Sequence, residues 1–169
     1  MGAALNTLGA LAAEEEPERA REMLERALAL HREVGARSGE AESLTALGRL
    51  EERGGHPEVA AERYGEAVAA AEAVEEPGPG VLAGCLLAGV DPSRYDDAWA
   101  RLEASEVVLE AFRRMEAHFA LWRSKKTDLH LDEAIRILNH MAEDLTDEEV
   151  ERLLAKNPVC RALRTAAAE

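Results

Sequence analysis

Apolar residues recur every three or four positions along most of this chain. The pattern is clearest from Ala20 to Leu30, where charged residues fill most of the intervening positions. This spacing places the apolar side chains on one face of an α-helix and the charged side chains on the other. Gly35 is expected to end this helix in the left-handed conformation that glycine tolerates, and Ser38 is expected to cap the next helix.

The pattern then repeats along the chain. Residues 5–30 (LNTLGALAAEEEPERAREMLERALAL) align with residues 44–70 (LTALGRLEERGGHPEVAAERYGEAVAA). Both segments contain a Leu-Gly pair, a turn with proline, and then alanines around one large apolar residue. Gly9 and Gly48 lie 39 residues apart in the middle of helices, where a glycine costs about 1 kcal/mol relative to alanine. We therefore expect a neighbouring helix to pack closely against each glycine.

The second half of the chain follows this pattern less closely. The prolines and glycines of residues 75–80 predict a break between helices, and a second break is predicted at residues 113–115 within a long helical stretch. The segment Thr146–Glu149 has the sequence of a capping box. Asn157 before Pro158 has the sequence of an N-cap followed by a first-turn proline.

These features predict an all-α fold with about four helical hairpins and a C-terminal capping helix pair. The hairpins are predicted within residues 1–144, at 1–36, 37–76, 80–112 and 113–144, and the capping helices at 145–169. Repeat arrays need a terminal element with a polar outer face, which the last two helices would provide.

The two aligned segments resemble the long form of the tetratricopeptide repeat, with roughly 40 residues per repeat. Leu8-Gly9 and Leu47-Gly48 correspond to the Leu-Gly pair of its first helix. The alanine, bulky and alanine positions of its second helix correspond to Ala20, Leu24 and Ala27 in one copy and to Ala60, Tyr64 and Ala67 in the other. The resemblance implies antiparallel hairpins stacked into a right-handed superhelix, an α-solenoid whose concave face binds a protein or peptide.

Three stretches also resemble the C-terminal tetratricopeptide arrays of bacterial multidomain signalling proteins. They are ALALHREVGARSGEAESL (27–44), HFALWRSKKTDLHLDEAIRIL (118–138) and DEEVERLLAKNPVCRAL (147–163). In such proteins a Ser/Thr kinase, a nucleotide cyclase or an NTPase regulator precedes the array. The resemblance implies a regulatory or adaptor role in signalling, although this chain contains no glycine-rich phosphate loop and no kinase HRD or DFG motif.

Composition argues against several classes of function. The formal net charge of −14 disfavours binding to nucleic acid or to an anionic membrane, whose phosphates would be repelled. No apolar run approaches the roughly 20 residues of a membrane span, and the N-terminus lacks the basic segment of a signal peptide. Cys85 and Cys160 form no CxxC motif, so we expect no disulfide framework and predict a cytoplasmic location.

Candidate catalytic and metal-binding residues are few. His130 and Asp132 are two residues apart, which on a helix points them to different faces, so a shared metal would need a loop. Asp128 is interpreted as a turn or N-cap residue, and His118 with Trp122 as a core or groove pair. We expect no metal, no cofactor and no enzymatic activity in this chain.

The resemblance also implies that the first helix of each hairpin lines the concave face. On that basis the predicted partner-binding residues are Asn6, Thr45, Arg49, Glu52, Arg53, Phe119, Arg123 and Lys126. The Lys/Asn clamp with which some family members hold the C-terminal carboxylate of a peptide is absent, since Ala10 and Arg49 occupy one of its positions. Recognition of that kind of C-terminus is therefore not expected.

The sequence leaves two kinds of function open. The first is a non-catalytic scaffold that binds a partner protein or peptide on its concave face. The alternative is self-association, as a homodimer through the N-terminal hairpin, or packing against an adjacent kinase, cyclase or NTPase domain. The first helix begins near Ala3 without a preceding cap, which leaves an apolar face of the kind that marks a contact site.

Overall fold

The computed structural model describes residues 1–74, 77–105 and 109–168. A short 3₁₀ helix, Pro92–Arg94, precedes α6. The α-helices are α1 (Gly2–Ala12), α2 (Pro17–Glu33), α3 (Arg37–Arg53), α4 (Pro57–Glu72), α5 (Pro77–Val90), α6 (Tyr95–Ser105), α7 (Ala111–Lys125), α8 (Asp128–Ala142), α9 (Asp147–Lys156) and α10 (Pro158–Ala166). These three ranges contain no β-strand, which confirms the predicted all-α class.

Consecutive helices pack against one another along the chain. Helix α1 contacts α2, α3 contacts α4, and α7 contacts α8, as expected for helical hairpins. Helix α1 also contacts α3, α3 contacts α5, and α5 contacts α7. These four helices therefore form one continuous layer, called the first-helix layer below. The arrangement confirms the predicted stack of helical hairpins.

The two aligned repeats pack in the same way. The Leu24 side chain of α2 lies against Gly9 of α1, where a Cβ would come within 2.8 Å of it. One repeat later, the Tyr64 ring of α4 lies against Gly48 of α3, where a Cβ would come within 2.5 Å. Each glycine thus lets a large side chain of the second helix reach the backbone of the first, which confirms the expected close packing.

The alanines of the repeat signature complete these contacts because they allow neighbouring helices to approach. All four have an exposed fraction of 0%, namely Ala20, Ala27, Ala60 and Ala67. Leu24 belongs to a core cluster that spans α2, α3 and α4, and Tyr64 belongs to another cluster that extends from α4 to α7. A third cluster contains Met115 and Ile137 and joins α7, α8 and α10.

The structure shifts one predicted break and contradicts the other. Helix α4 ends at Glu72, before the break predicted at residues 75–80. Helix α5 begins at Pro77, so the proline- and glycine-rich segment, whose first two residues lie outside the described ranges, continues into a helix. Prolines are tolerated there because the first turn of a helix has no intrahelical amide bonds to lose. The break predicted at residues 113–115 is wrong, because α6 ends at Ser105 and α7 already begins at Ala111. Met115 is instead a fully buried residue of α7.

Some helix ends match the residues predicted from the sequence, and others do not. Gly35 has a φ of 69°, in the left-handed region that favours glycine, as predicted for the end of α2. The N-cap of α3 is Ala36, and Ser38 lies inside its first turn. Thr127 is the N-cap of α8, and Asp128 is its first residue, where a negative charge favours the helix dipole.

The C-terminal helices begin at the predicted caps. The Thr146 hydroxyl accepts a hydrogen bond from the Glu149 amide, and the Glu149 carboxylate accepts one from the Thr146 amide at 2.9 Å. The Asn157 side chain accepts hydrogen bonds from the Val159 and Cys160 amides at the start of α10. Both caps satisfy amide donors that a helix leaves unpaired at its N-terminus.

Thr146→Ala is expected to lower the free energy of unfolding by about 1 kcal/mol, because it removes the hydroxyl that accepts a hydrogen bond from the Glu149 amide in the capping box. Thr165→Ala is the matched control, since Thr165 is an exposed residue inside α10. Urea unfolding followed by circular dichroism measures both changes. Equal midpoints for the two variants would show that the capping box does not stabilise the fold.

Candidate functional site

A cavity of about 400 Å³ opens on the first-helix layer. Helices α1, α3, α5 and α7 all contribute to its walls, and the segment from Lys156 to Ala162 adds a further wall. The lining residues are Ala10, Leu11, Glu14, Arg49, Glu52, Arg53, Leu86, Phe112, Glu116, Phe119, Ala120, Arg123, Lys156, Asn157, Pro158, Val159 and Ala162. The cavity therefore joins the inner surface of the hairpins to the C-terminal helices.

The cavity carries more basic than acidic side chains, although the chain as a whole has a formal net charge of −14. Its basic residues are Arg49, Arg53, Arg123 and Lys156, and its acidic residues are Glu14, Glu52 and Glu116. A negatively charged group on a ligand is therefore repelled less strongly here than over most of this acidic surface.

Two arginines of the cavity join α3 to α7. Arg49 donates a hydrogen bond to the Glu116 carboxylate at 2.6 Å, and the Glu116 side chain is only 6% exposed. Arg123 donates to Glu52, which also accepts a hydrogen bond from the Tyr64 hydroxyl at 2.8 Å. These pairs hold both guanidinium groups at the cavity wall.

Both guanidinium groups keep a free donor. The Nε atoms of Arg49 and Arg123 are buried and have no hydrogen-bond partner among the described residues. Burial, together with the nearby Glu52 carboxylate, raises the pKa of the Tyr64 phenol, so Tyr64 stays protonated and keeps donating to Glu52. The Arg49 and Arg123 side chains are 34% and 33% exposed, so a ligand in the cavity meets other parts of each arginine rather than its Nε atom.

An apolar wall lies beside these charges. Phe119 stacks on Trp122 with 5.4 Å between ring centroids, and the Arg123 guanidinium lies 5.9 Å from the Phe119 ring centroid. Leu11 of α1 and Val159 of α10 also line the cavity, and Leu11 is 74% exposed. An apolar surface with a few placed polar groups is the usual composition of a binding site.

The structure brings most of the predicted binding residues together. Those that line the cavity are Arg49, Glu52, Arg53, Phe119 and Arg123. The other three lie elsewhere. Asn6 accepts a hydrogen bond from Ser43 of α3 at 2.9 Å, and Thr45 is buried within α3. Lys126 lies in the turn after α7, with its Nζ 3.6 Å from the Trp122 ring centroid.

Sequence reasoning did not identify the contribution of α10 to the cavity. Asn157, Pro158 and Val159 form part of its wall, although the sequence predicts this segment only as a cap. Arg161 of α10 also lies 3.5 Å from the Glu14 carboxylate, which follows α1. This contact joins opposite ends of the chain, so no local pattern of residues could have revealed it.

A second polar cluster lies between α6, α7 and α8, and none of its residues lines the cavity. The Nδ1 atoms of His118 and His130 are 3.1 Å apart, and the His130 Nε2 lies 2.8 Å from the Tyr95 hydroxyl. The Trp99 ring packs edge-on against both imidazoles. Burial lowers the pKa of both histidines to about 4, so both are neutral at neutral pH.

Other chemistry suggested by single residues finds little support in the structure. Burial raises the pKa of the Cys85 thiol to about 12, as expected for a small hydrophobic residue of the core. Over residues 1–74, 77–105 and 109–168, no three His, Cys, Asp or Glu side chains come together in a way that could hold a metal ion. None of the helices in the same ranges combines the length and the apolar character needed to cross a membrane.

Residues 1–73 match the family model of the tetratricopeptide repeat. This segment contains both aligned repeats and both of the glycine contacts that organise them. Tetratricopeptide repeats generally mediate protein–protein interaction. Comparisons with curated proteins and with solved structures gave no match.

Proposed function

We propose that this chain is a protein-interaction module that binds a segment of a partner protein in the cavity between the first-helix layer and α10. The observation that carries this proposal is the apolar wall of the cavity beside two exposed basic residues, Arg53 and Lys156. The match of residues 1–73 to the tetratricopeptide repeat supports the same class of function.

The lining of the cavity suggests the chemistry of the segment. A large apolar side chain of the partner would pack beside Leu11, Phe119 and Val159. A neighbouring carboxylate would lie near Arg53 and Lys156, which are both exposed and form no ion pair within the described part of the chain. The proposed ligand is therefore a peptide segment that carries an acidic residue beside a large apolar one.

Selection of random peptides displayed on phage tests this ligand class. We expect peptides that bind the purified chain to combine an acidic residue with a large apolar residue. Fluorescence polarisation of a selected peptide should show an affinity loss of at least about tenfold, or 1.4 kcal/mol, for Arg53→Glu and for Leu11→Ser. Both residues are exposed, so neither variant should disturb the fold.

Val59→Ser is the matched control for Leu11→Ser, because Val59 is an exposed aliphatic residue of α4 that does not line the cavity. Arg49 and Arg123 are unsuitable for charge reversal, since each would then face a like charge and the fold itself would be weakened. Selected peptides without an acidic residue, or binding that neither variant changes, would overturn the proposal.

We further propose that this module is the regulatory or adaptor region of a bacterial signalling protein in the cytoplasm. The resemblance of residues 27–44, 118–138 and 147–163 to such proteins supports the signalling role. Cys85 and Cys160 are both buried free thiols, which suits a reducing compartment. The alternative of self-association or of packing on an adjacent domain needs a separate apolar face, and the N-terminal edge of the stack offers one.

A further inference from the structure

Helix α10 presents three different sides to its surroundings. Cys160 and Leu163 are fully buried in the core cluster that α10 shares with α7 and α8. Val159 and Ala162 line the cavity instead. Successive residues are about 100° apart around a helix, so the cavity-lining side lies next to the buried side and Arg161 lies on the remaining one. The core cluster therefore attaches α10 beside α7, at one end of the first-helix layer.

Arg161 attaches α10 at the other end of that layer. Its guanidinium lies 3.5 Å from the carboxylate of Glu14, which follows α1 and lines the cavity. The same guanidinium donates a hydrogen bond to the Ala155 carbonyl of α9. Helices α1 and α7 are the two ends of the layer, because α1 contacts α3, α3 contacts α5, and α5 contacts α7. Helix α10 therefore bridges the cavity from one end of the layer to the other.

Few buried residues hold α9 and α10 in this position. Both helices lie wholly within the described ranges, and α9 contains no buried residue. In α10 only Cys160 and Leu163 are buried, both on the side that faces the core cluster. Segments with few buried contacts open locally at a lower free energy than the core does. The position of α10 over the cavity is therefore sensitive to its contact with Glu14.

This position matters to the proposed ligand. Two of the groups assigned to the bound segment, Lys156 and Val159, lie at the end of α9 and in the first turn of α10. Both reach the cavity only while α10 lies across it. Arg161 itself does not line the cavity, so it acts on a ligand through the position of α10.

We propose that Arg161 is a positioning residue of the site, whose ion pair with Glu14 holds α10 across the cavity so that Lys156 and Val159 reach a bound segment. This inference rests on the proposed function. The two side chains are 52% and 42% exposed, and exposed ion pairs stabilise only weakly. Loss of the pair therefore loosens α10 without unfolding the hairpins, and a bound segment leaves faster.

Hydrogen exchange of the free chain, measured by mass spectrometry, tests the hold on α10. Arg161→Glu places a carboxylate against Glu14, and we expect it to raise amide exchange in α10 at least about threefold while α3 and α4 stay unchanged. Glu14→Arg should have the same effect. The variant with both changes should return to the parent rate, because it forms the pair again with the charges reversed. Arg164→Glu is the matched control, since Arg164 is exposed on the same helix and does not line the cavity.

Stopped-flow dissociation of a selected acidic peptide tests the effect on the ligand. Each single variant should raise the dissociation rate at least about threefold, and the double variant should restore it. Glu14→Arg is the decisive case, since it adds positive charge to the cavity. If α10 did not move, that change would slow the release of an acidic peptide rather than accelerate it.

The outcomes separate the role of Arg161 from peptide binding itself. Unchanged exchange in α10, a double variant that does not recover, or an equal rise in Arg164→Glu would overturn the positioning role. Faster exchange with an unchanged dissociation rate would overturn it as well. If no peptide binds the parent, the proposed function fails, and hydrogen exchange alone then decides whether the pair holds α10.

Discussion

Gly48→Ala is expected to lower the free energy of unfolding by about 2–3 kcal/mol, because it overpacks the contact at the centre of the second repeat. The added Cβ would lie 2.5 Å and 2.6 Å from two ring carbons of Tyr64. The ring cannot easily move aside, since Tyr64 is fully buried and its hydroxyl donates to Glu52 at 2.8 Å. Urea unfolding followed by circular dichroism measures the loss.

Gly65→Ala is the matched control for this change. Gly65 lies inside α4, and a Cβ there would meet no atom within 4 Å. The gain in helix propensity should therefore stabilise the protein by up to about 1 kcal/mol. In addition, Gly48→Ala combined with Tyr64→Leu should lower the free energy of unfolding by less than the sum of the two single changes, because the two residues share one contact. Equal stability of the two glycine variants would contradict the proposed packing of the repeat.

Mild acid is expected to destabilise the fold strongly through the buried pair of His118 and His130. Burial lowers the pKa of both imidazoles to about 4, against an ordinary value near 6.5, although Glu133 acts in the opposite direction on His118. Below about pH 6.5 the unfolded chain binds protons that the folded chain does not, so stability falls as the pH falls toward 4. Between pH 6.5 and pH 5 the expected loss is about 2 kcal/mol for each imidazole.

Urea midpoints measured from pH 7 to pH 5 test this pH dependence. Ion pairs lower the pKa of Glu40 and Glu51, so the stability that these carboxylates provide is lost only at more acidic pH. A variant with both His118→Gln and His130→Gln should show a flatter profile, although its stability at pH 7 will be lower. His140→Gln, at an exposed position on α8, controls for the removal of an imidazole as such. Midpoints of the parent that stay constant over this range would contradict a buried neutral pair.

Local sequence patterns were sufficient to predict the fold class and the packing of the first two repeats. The spacing around Gly9 and Gly48 predicted close helix packing, and the structure places Leu24 and Tyr64 against these glycines. The prediction succeeded because helix periodicity and a glycine within a helix are properties of a few neighbouring residues. The capping box at Thr146 was predictable for the same reason, since both of its hydrogen bonds join residues within one helical turn.

Helix boundaries in the degenerate second half were less predictable. Proline and glycine near residue 77 are equally compatible with a break between helices and with the first turn of a helix. In the structure they form the first turn of α5, which packs against α4. The break within residues 113–115 was wrong because Met115 is buried in the cluster with Ile137, which holds α7 helical there. Tertiary contacts therefore decided where a locally ambiguous segment became a helix.

The composition of the candidate site was determined partly by sequence and partly by the tertiary structure. The sequence, through the repeat pattern, placed Arg49, Arg53 and Phe119 on first helices, and these residues do line the cavity. Only the tertiary structure paired Arg49 with Glu116 and brought Arg161 of α10 to Glu14. Such pairs join helices that are distant in sequence, and they depend on how the hairpins stack and rotate. Periodicity within one helix carries no information about that stacking.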